Sequence, residues 1–316
     1  IIMEETHRVG CASWLNTLHS RLVGSYFEHI GNDEQKQRFL PGCIKGEKIL
    51  AIAMTEPDAG SDLAGMRTTL REDEDHFILN GSKTYISNGI NADYVVVAGK
   101  SDPENNPHAM TLCVVERGME GFERGRNLDK MGMKAQDTAE LFFNNVIIPK
   151  ENVLGEVGRG FFYLMQGLAE ERLIAAVGSI ASARRAFNLT REFVMERKVF
   201  GKPLSYMQNT QFKMAEMDTE IEIVEVFIDH LVAEHNEDRL TANMAAKAKL
   251  QSTEIEWKML DLGVQLHGGA GYMKEYPICN MFTDARINRI LAGSSEIMKL
   301  IISRDIFSES YSSNLD

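Results

Sequence analysis

Cysteine is sparse in this chain, and its four copies stand far apart at Cys11, Cys43, Cys113 and Cys279. With no CxxC pair, neither a zinc site nor a disulfide framework is indicated, and no metal site is expected. A reducing compartment fits best. Basic blocks are missing too: no run of five lysines or arginines occurs, and the formal net charge is −12. That speaks against nucleic acid or an anionic membrane surface as a partner. No apolar run reaches transmembrane length; the longest candidate, LIAAVGSIASA, stops at Arg184 and Arg185. Internal repeats, low-complexity tracts, G-x-S-x-G, HExxH and Walker loops are all absent. The chain opens IIMEETHRVG, with neither an initiator methionine nor a targeting segment, as though inside a helix. An N-terminal piece is therefore expected to be missing.

What is present reads as an ordinary globular composition, 44% hydrophobic and 25% charged over 316 residues, enough for two or three domains. Three periodicities divide it. Residues 1–48 read as a helical segment with a stop at Gly31, then capping residues in NDEQKQRFLPGCIKGE. Residues 49–155 switch to short strands rich in β-branched and aromatic residues: ILAIAMTE, HFILNGSKTYISNG, DYVVVAGK, MTLCVVERG and AELFFNNVIIP. Turn signals separate them, and no long helix intervenes, which predicts an antiparallel barrel or sandwich. Residues 156–316 return to helix. Three long elements and two short ones, broken at FGKP, HNEDR, HGGAGY and AGSS, predict an antiparallel bundle. The expected fold is thus multidomain α+β.

Several loops could carry chemistry. MTEPDAGSD (54–62) exposes amides and hydroxyls after a strand, although a decorated turn would look the same. TYISNG (84–89) is by itself a hairpin end. QLHGGAGY (265–272) lets backbone approach a phosphate, but it is not GxGxxG and follows no strand, and a helix C-cap explains Gly268 equally. ERKVFGKPL (196–204) resembles a solvated helix terminus. REDEDH reads as an exposed hairpin tip, and His230 and His235 as surface residues off metal-ligand spacing.

GLAEERLIA (167–175) is different. On a helix, Leu164, Leu168, Glu171, Ala175, Gly178 and Ser182 form one stripe that is apolar or small except for a single carboxylate. The small residues either permit close packing or leave a channel. Glu170 shares a more polar side with Gln166 and Tyr163. Glu171 is therefore a candidate general base with a raised pKa.

The order of helices, β-domain and bundle, with MTEPDAGSD, YISNG, ERKVFGKP, QLHGGAGYMKEYP and AGSSEI in sequence, resembles the acyl-CoA dehydrogenase family over nearly the whole chain. KMGMKAQDTAELFF and GFFYLMQGLAEERL are most similar to the long-chain branch, with isovaleryl-CoA dehydrogenase a near neighbour. The resemblance implies FAD and an acyl-CoA thioester that becomes a trans-2-enoyl-CoA. It also implies reoxidation by an electron-transfer flavoprotein, and a homotetramer whose FAD sites are completed across subunits. By the same resemblance Met54 and Thr55 contact the isoalloxazine, with Gly60 in their loop, and Ser61 lies near flavin and substrate. Tyr85, Ile86 and Ser87 lie against the ring, Tyr85 where many members have tryptophan. Arg197, Phe200 and Gln208 hold the adenine and pyrophosphate end, Gln265, Leu266, His267, Gly268 and Gly269 the partner's pyrophosphate, and Ser294 and Glu296 the cofactor. Leu168, Arg172 and Gly293 are expected at the substrate. Medium- and short-chain members carry the base in a loop where this chain has Ala292; the long-chain and isovaleryl branches place it just before an arginine, here Glu171 before Arg172. Two alternatives stay open, an assembly scaffold of weak activity and an oxidase that passes electrons to oxygen. The compartment implied is the cytoplasm of a bacterium or the mitochondrial matrix of a eukaryote.

Overall fold

The computed structural model describes residues 1–308 apart from 12, 103, 105 and 107. Helix α1 (Ile2–Arg8) comes first, followed by a π-helical turn at Leu18–Val23, α2 (Gly24–Ile30) and α3 (Asp33–Ile44). Strands β1 (Leu50–Ala53), β2 (Thr69–Asp73), β3 (His76–Ser87), β4 (Tyr94–Lys100), β5 (Met110–Glu116), β6 (Phe122–Asn127), β7 (Thr138–Pro149) and β8 (Val153–Leu154) follow. The rest is helical: α4 (Gly160–Glu196), α5 (Gln208–Asn236), α6 (Ala242–His267), α7 (Pro277–Ala285) and α8 (Ser295–Ile306), with a small hairpin of β9 (Lys198–Val199) and β10 (Lys202–Pro203) after α4. No helix among the described residues is long and apolar enough to cross a membrane.

These residues sort into two compact units, one of 15–130 and 134–167, the other of 1–14, 131–133 and 168 onward. The segment 1–48, expected as one helical domain, is thereby divided. The cause is what each part packs on. Gly178 of α4 leaves room in which Met3 and His7 of α1 sit, and Arg185 of α4 donates to the His7 carbonyl at 3.2 Å. Phe27 and Phe39 instead join the strand cluster around Val96, Leu112 and Val114. The helix expected across residues 1–30 is also interrupted. Its π turn carries His19, whose Nδ1 accepts from the Leu50 amide (3.1 Å) while Nε2 meets the Cys43 carbonyl (3.1 Å). A wider turn thus serves a side chain that ties α3 to β1.

The sheet runs β6-β7-β3-β2-β4-β5-β8, with β1 on β4. Most ladders are antiparallel as expected, but β1 and β2 both pair with β4 in parallel, because the 54–68 loop carries the chain back before β2 begins. The strands β2, β6 and β8 were not evident in the sequence: FERGRN and TLRED are charged, and VL is two residues long. Alternation explains why YVVVAGK and MTLCVVE are buried on both sides. Val95, Val97, Cys113 and Val115 enter one core, and Val96, Ala98, Leu112 and Val114 the other beneath α2 and α3. Each Phe there contributes roughly 1.5–3 kcal/mol by leaving water. In the helical unit, Leu173, Ala176, Ile180, Met217, Ile221, Val224, Ile255 and Met259 form the core of α4, α5 and α6. Arg184 of α4 reaches both Asp218 (2.6 Å) and Glu225 (2.9 Å) of α5.

One ion pair in the sheet unit is fully buried. Lys83 Nζ donates to Glu56 Oε1 at 2.8 Å and to the Met54 carbonyl at 3.0 Å, while Glu56 also accepts from the amides of Arg67 (2.5 Å) and Thr68 (3.0 Å). Burial alone would raise the Glu56 carboxyl, but the Lys83 charge and these bonds hold it below the usual range. Burial pulls the Lys83 ammonium down as well; the three bonds at Glu56 favour the charged pair. The pair staples the loop after β1 onto β3. Lys83→Met leaves a carboxylate buried alone and should cost about 3–5 kcal/mol in a urea unfolding curve. A loss below about 1 kcal/mol would mean that water reaches Glu56 freely.

Candidate active site

Glu171 lies on α4, in the first turn of its part that belongs to the helical unit. Its residue keeps some accessible surface, yet protein atoms crowd its carboxyl. That burial raises its pKa to about 7, against the opposing pull of Arg172 and Lys249. Such a group is half ionised near neutrality, as a general base requires. Glu170 points elsewhere: its Oε1 is 3.9 Å from His235 Nε2 on α5. The small-residue stripe resolves as close packing, not as a channel. A Cβ on Gly178 would meet Met3 Cε at 2.6 Å and His7 Cε1 at 3.2 Å. Leu168 is half-buried and Arg172 buried, with Arg172 Nε lacking a hydrogen-bond partner.

Helix α6 presents three polar side chains to the segment between α7 and α8. Lys249 Nζ donates to the Gly293 carbonyl (2.7 Å). Glu254 Oε1 accepts from Arg289 Nε (2.9 Å) and from Ser295 Oγ (2.7 Å). Glu256 Oε2 accepts from Asn288 Nδ2 (2.8 Å). The turn that holds Ala292 is therefore clamped on both sides. Ser294 caps α8 through the Ile297 amide at 3.4 Å, and Glu296 is exposed beside it. Its carboxyl is held below the usual range by its own backbone amide and by Ser294.

The remaining residues singled out in the sequence fall in two places. In the sheet unit, the Thr84 amide donates to the Thr55 carbonyl (2.9 Å), so Met54–Thr55 and Tyr85–Ser87 are neighbours. Tyr85 sits at a register shift between Lys83 and Ile86 with φ 60°, and shows 71% of its surface. A tyrosine at positive φ in mid-strand is strained, and the kink turns its ring outward while Ile86 stays buried. Gly60 and Ser61 are exposed in the loop that Glu56 anchors. In the helical unit, Phe200 tips the β9–β10 hairpin at φ 50° with 97% exposure. The Arg197 carbonyl accepts from Leu204 (2.7 Å), and Gln208 opens α5. At the end of α6, Gln265, Gly268 and Gly269 are exposed and Leu266 half-buried. The space above both glycines is open, and Gly268 adopts φ 60°, ψ −136°, which only glycine takes easily. The His267 ring faces inward: it stacks on Phe193 at 4.2 Å, and its Nδ1 meets the Gly263 carbonyl at 2.7 Å. Only its backbone is free to meet a ligand.

Family models describe the same three parts: the acyl-CoA dehydrogenase N-terminal domain matches residues 1–47, the middle domain 51–146 and the C-terminal domain 158–307. The chain belongs to the acyl-CoA dehydrogenase family. The enzyme class is accordingly that of an oxidoreductase. It is 44% identical to the mitochondrial long-chain specific acyl-CoA dehydrogenase of Mus musculus over 98% of this chain and 73% of that protein. Isovaleryl-CoA dehydrogenase of Solanum tuberosum is 36% identical over 98% and 75%. An acyl-CoA dehydrogenase structure from Geobacillus kaustophilus superposes with TM-score 0.95 at 46% identity, covering 97% of this chain and 81% of that one. Another, from Bacillus anthracis and complexed with FAD, has TM-score 0.90 at 31% identity over 96% and 55%.

Within this family member, sequence reading missed several buried charged residues, among them Glu56, Lys83, Lys249 and Glu256. A signal existed for two of them, since Lys83 interrupts a strand and Lys249 follows Lys247 in an alanine-rich helix. Glu256 is 2% exposed, and burial raises its pKa to about 7 against the pull of Asn288, Ser182 and Ser179. The Ser179 hydroxyl is close enough to act on it yet outside hydrogen-bond geometry. A carboxyl raised by folding from 4.5 favours the fold in its protonated form. Its contribution is complete below the unfolded value and fades as pH rises through about 7. Glu256→Gln should therefore gain on wild type between pH 5 and 8, by up to about 3 kcal/mol. Parallel stability curves over that range would show that Glu256 does not titrate there.

Proposed function

We propose that this chain dehydrogenates a fatty acyl-CoA thioester to the trans-2-enoyl-CoA with FAD, and that Glu171 is the base. The observation that carries the reading is one inward carboxyl on α4, on a residue that keeps some accessible surface, whose pKa is brought to about 7 by burial, beside Arg172. The outward ring of Tyr85 and the open Gly268–Gly269 backbone fit a flat, phosphate-bearing cofactor. Met54, Thr55, Gly60, Ser61, Ile86 and Ser87 would hold its ring end, and Arg197, Phe200, Gln208, Gln265 and the 266–269 backbone its adenine and pyrophosphate end, with Ser294 and Glu296. Bound FAD supplies the acceptor for the β-hydride. Glu171 takes the α-proton, and the electron pair left at Cα becomes the new double bond as the hydride departs. Leu168 and Gly293 border the substrate, and Arg172 keeps positive potential beside the carboxylate as it forms. Exposed apolar residues on and before α5 (Phe200, Tyr206, Phe212, Ile223, Val226) support an oligomer, assigned here as a homotetramer. An electron-transfer flavoprotein is assigned as the acceptor from the reduced enzyme.

Glu171→Gln keeps volume but cannot take a proton at neutral pH. Anaerobic stopped-flow flavin reduction by saturating acyl-CoA should slow by a factor of about 10² to 10⁴. The wild-type rate should rise tenfold per pH unit at low pH and level off around 7, the value to which Glu171 is raised. Glu170→Gln should change little, and adding Ala292→Glu to Glu171→Gln should restore part of the rate. Near-wild-type reduction by Glu171→Gln would sink the assignment.

Straight medium or long acyl chains should be preferred over isovaleryl-CoA. The support is the higher identity to the mouse long-chain enzyme than to the potato isovaleryl enzyme. Comparing kcat/KM over straight acyl-CoAs of four to eighteen carbons and isovaleryl-CoA decides it; a maximum at isovaleryl-CoA would overturn the preference.

A further inference from the structure

Among the described residues of the helical unit, Lys249 is the one buried cation that the reaction above leaves idle. Its residue is wholly buried (0% exposed), on α6, and its Nζ donates to the neutral Gly293 carbonyl at 2.7 Å. Taking an ammonium out of water costs several kcal/mol that one carbonyl does not repay, and a methionine would fill the same space without that cost. The charge therefore has another use. Four charged groups bear on it: Glu171 and Arg172 from α4, Glu254 from α6 itself, and Glu296 from α8. Of these, Glu254 is bonded to Arg289 and Ser295, and Glu296 is exposed, leaving Glu171 as the inward carboxylate, with no ion-pair partner among the described residues. The bond to Gly293 falls on a strained stretch, since Ala292 (φ 53°) and Gly293 (φ 92°) are both left-handed. Ala292 in that conformation costs about 1–3 kcal/mol and persists only where its surroundings hold it.

We propose that Lys249 is a positioning residue for the dehydrogenation: one buried ammonium fixes the Ala292–Gly293 turn through the Gly293 carbonyl and presents its charge to the Glu171 carboxyl. The turn and the base are then set by the same group, so that neither moves without the other. The inference rests on Glu171 being the base. Burial pushes Glu171 up and Lys249 opposes it, while burial and the charge of Arg172 bring Lys249 itself down to about 8. Removing the ammonium removes part of what keeps Glu171 ionisable near neutral pH.

The test uses FAD-loaded wild type, Lys249→Met, Lys249→Arg and Glu171→Gln. The first readout is the pH midpoint of anaerobic flavin reduction. The second needs no turnover: the infrared carboxyl band of protonated Glu171, followed from pH 5 to 9 and assigned by its loss in Glu171→Gln. In Lys249→Met both midpoints should move up by about half a unit to one unit, because an opposite charge nearby has been lost. The plateau rate should also fall as the turn loosens, while Lys249→Arg keeps both midpoints near wild type. Unmoved midpoints in Lys249→Met overturn the proposal. Should Lys249→Met not give a flavin-loaded protein, Lys249→Gln, neutral but able to donate to Gly293, meets the same criterion. If Glu171→Gln still reduces its flavin while the infrared midpoint shifts in the Lys249 variant, the base assignment fails and the coupling stands. If Glu171→Gln is inactive and the midpoint does not shift, Lys249 alone is refuted.

Discussion

Charge held away from water is the constraint around which both units are organised. A bare carboxylate or ammonium cannot be buried for nothing, so each one has to be neutralised, paired or exploited. Glu56 and Lys83 take the second course: they pair, and in pairing they fix the loop after β1 against β3. Glu256 takes the first, drifting toward its neutral form among Asn288, Ser182 and Ser179. Glu171 sits between these solutions. It is crowded enough to be raised to about 7 and close enough to two cations to ionise there. Full pairing would make it too weak a base, and full seclusion would keep it protonated.

The same constraint explains why the turn between α7 and α8 is tied down so heavily. Arg289, Asn288, Gly293 and Ser295 each bond to a side chain of α6. Two of those four bonds go to the Glu254 carboxylate and one comes from the Lys249 ammonium, which makes these three charge-assisted. A strained turn at Ala292 can be held in this way by polar bonds from a neighbouring helix.

Long periodic stretches were legible in the sequence because burial acts on every turn of a helix or every second strand residue. The limits of α4, α5 and α6 follow breaks at FGKP, HNEDR and HGGAGY. The alternation in β4 and β5 was hidden, since both faces are core and every position is apolar. Charged strands such as β6 were invisible for the opposite reason: their register comes from β7 and not from their own pattern. Of the site, the stripe through Glu171 could be read because a carboxylate interrupts it. Its small residues could not be interpreted alone, since Gly178 serves a contact with α1 that lies more than a hundred and fifty residues away in sequence. The roles of Lys249 and Glu256 depend on partners at 288–296 and were equally out of reach.

The proposed base, Glu171, stands on α4, whereas the family resemblance places the base of medium- and short-chain members at the position of Ala292. A base needs a position beside the reacting carbon and surroundings that tune its ionisation; it does not need a particular backbone. On α4 the helix supplies rigidity, and Arg172 and Lys249 supply the tuning. On the 286–296 turn, rigidity has to come from outside, and the bonds to α6 provide it. Keeping that clamp while the carboxylate resides on α4 is intelligible if the turn still has work to do. Its backbone is left-handed at two successive residues and is tied by the Gly293 carbonyl to Lys249, the cation whose charge also bears on Glu171, so the turn keeps its shape even though its side chain at 292 is only a methyl group.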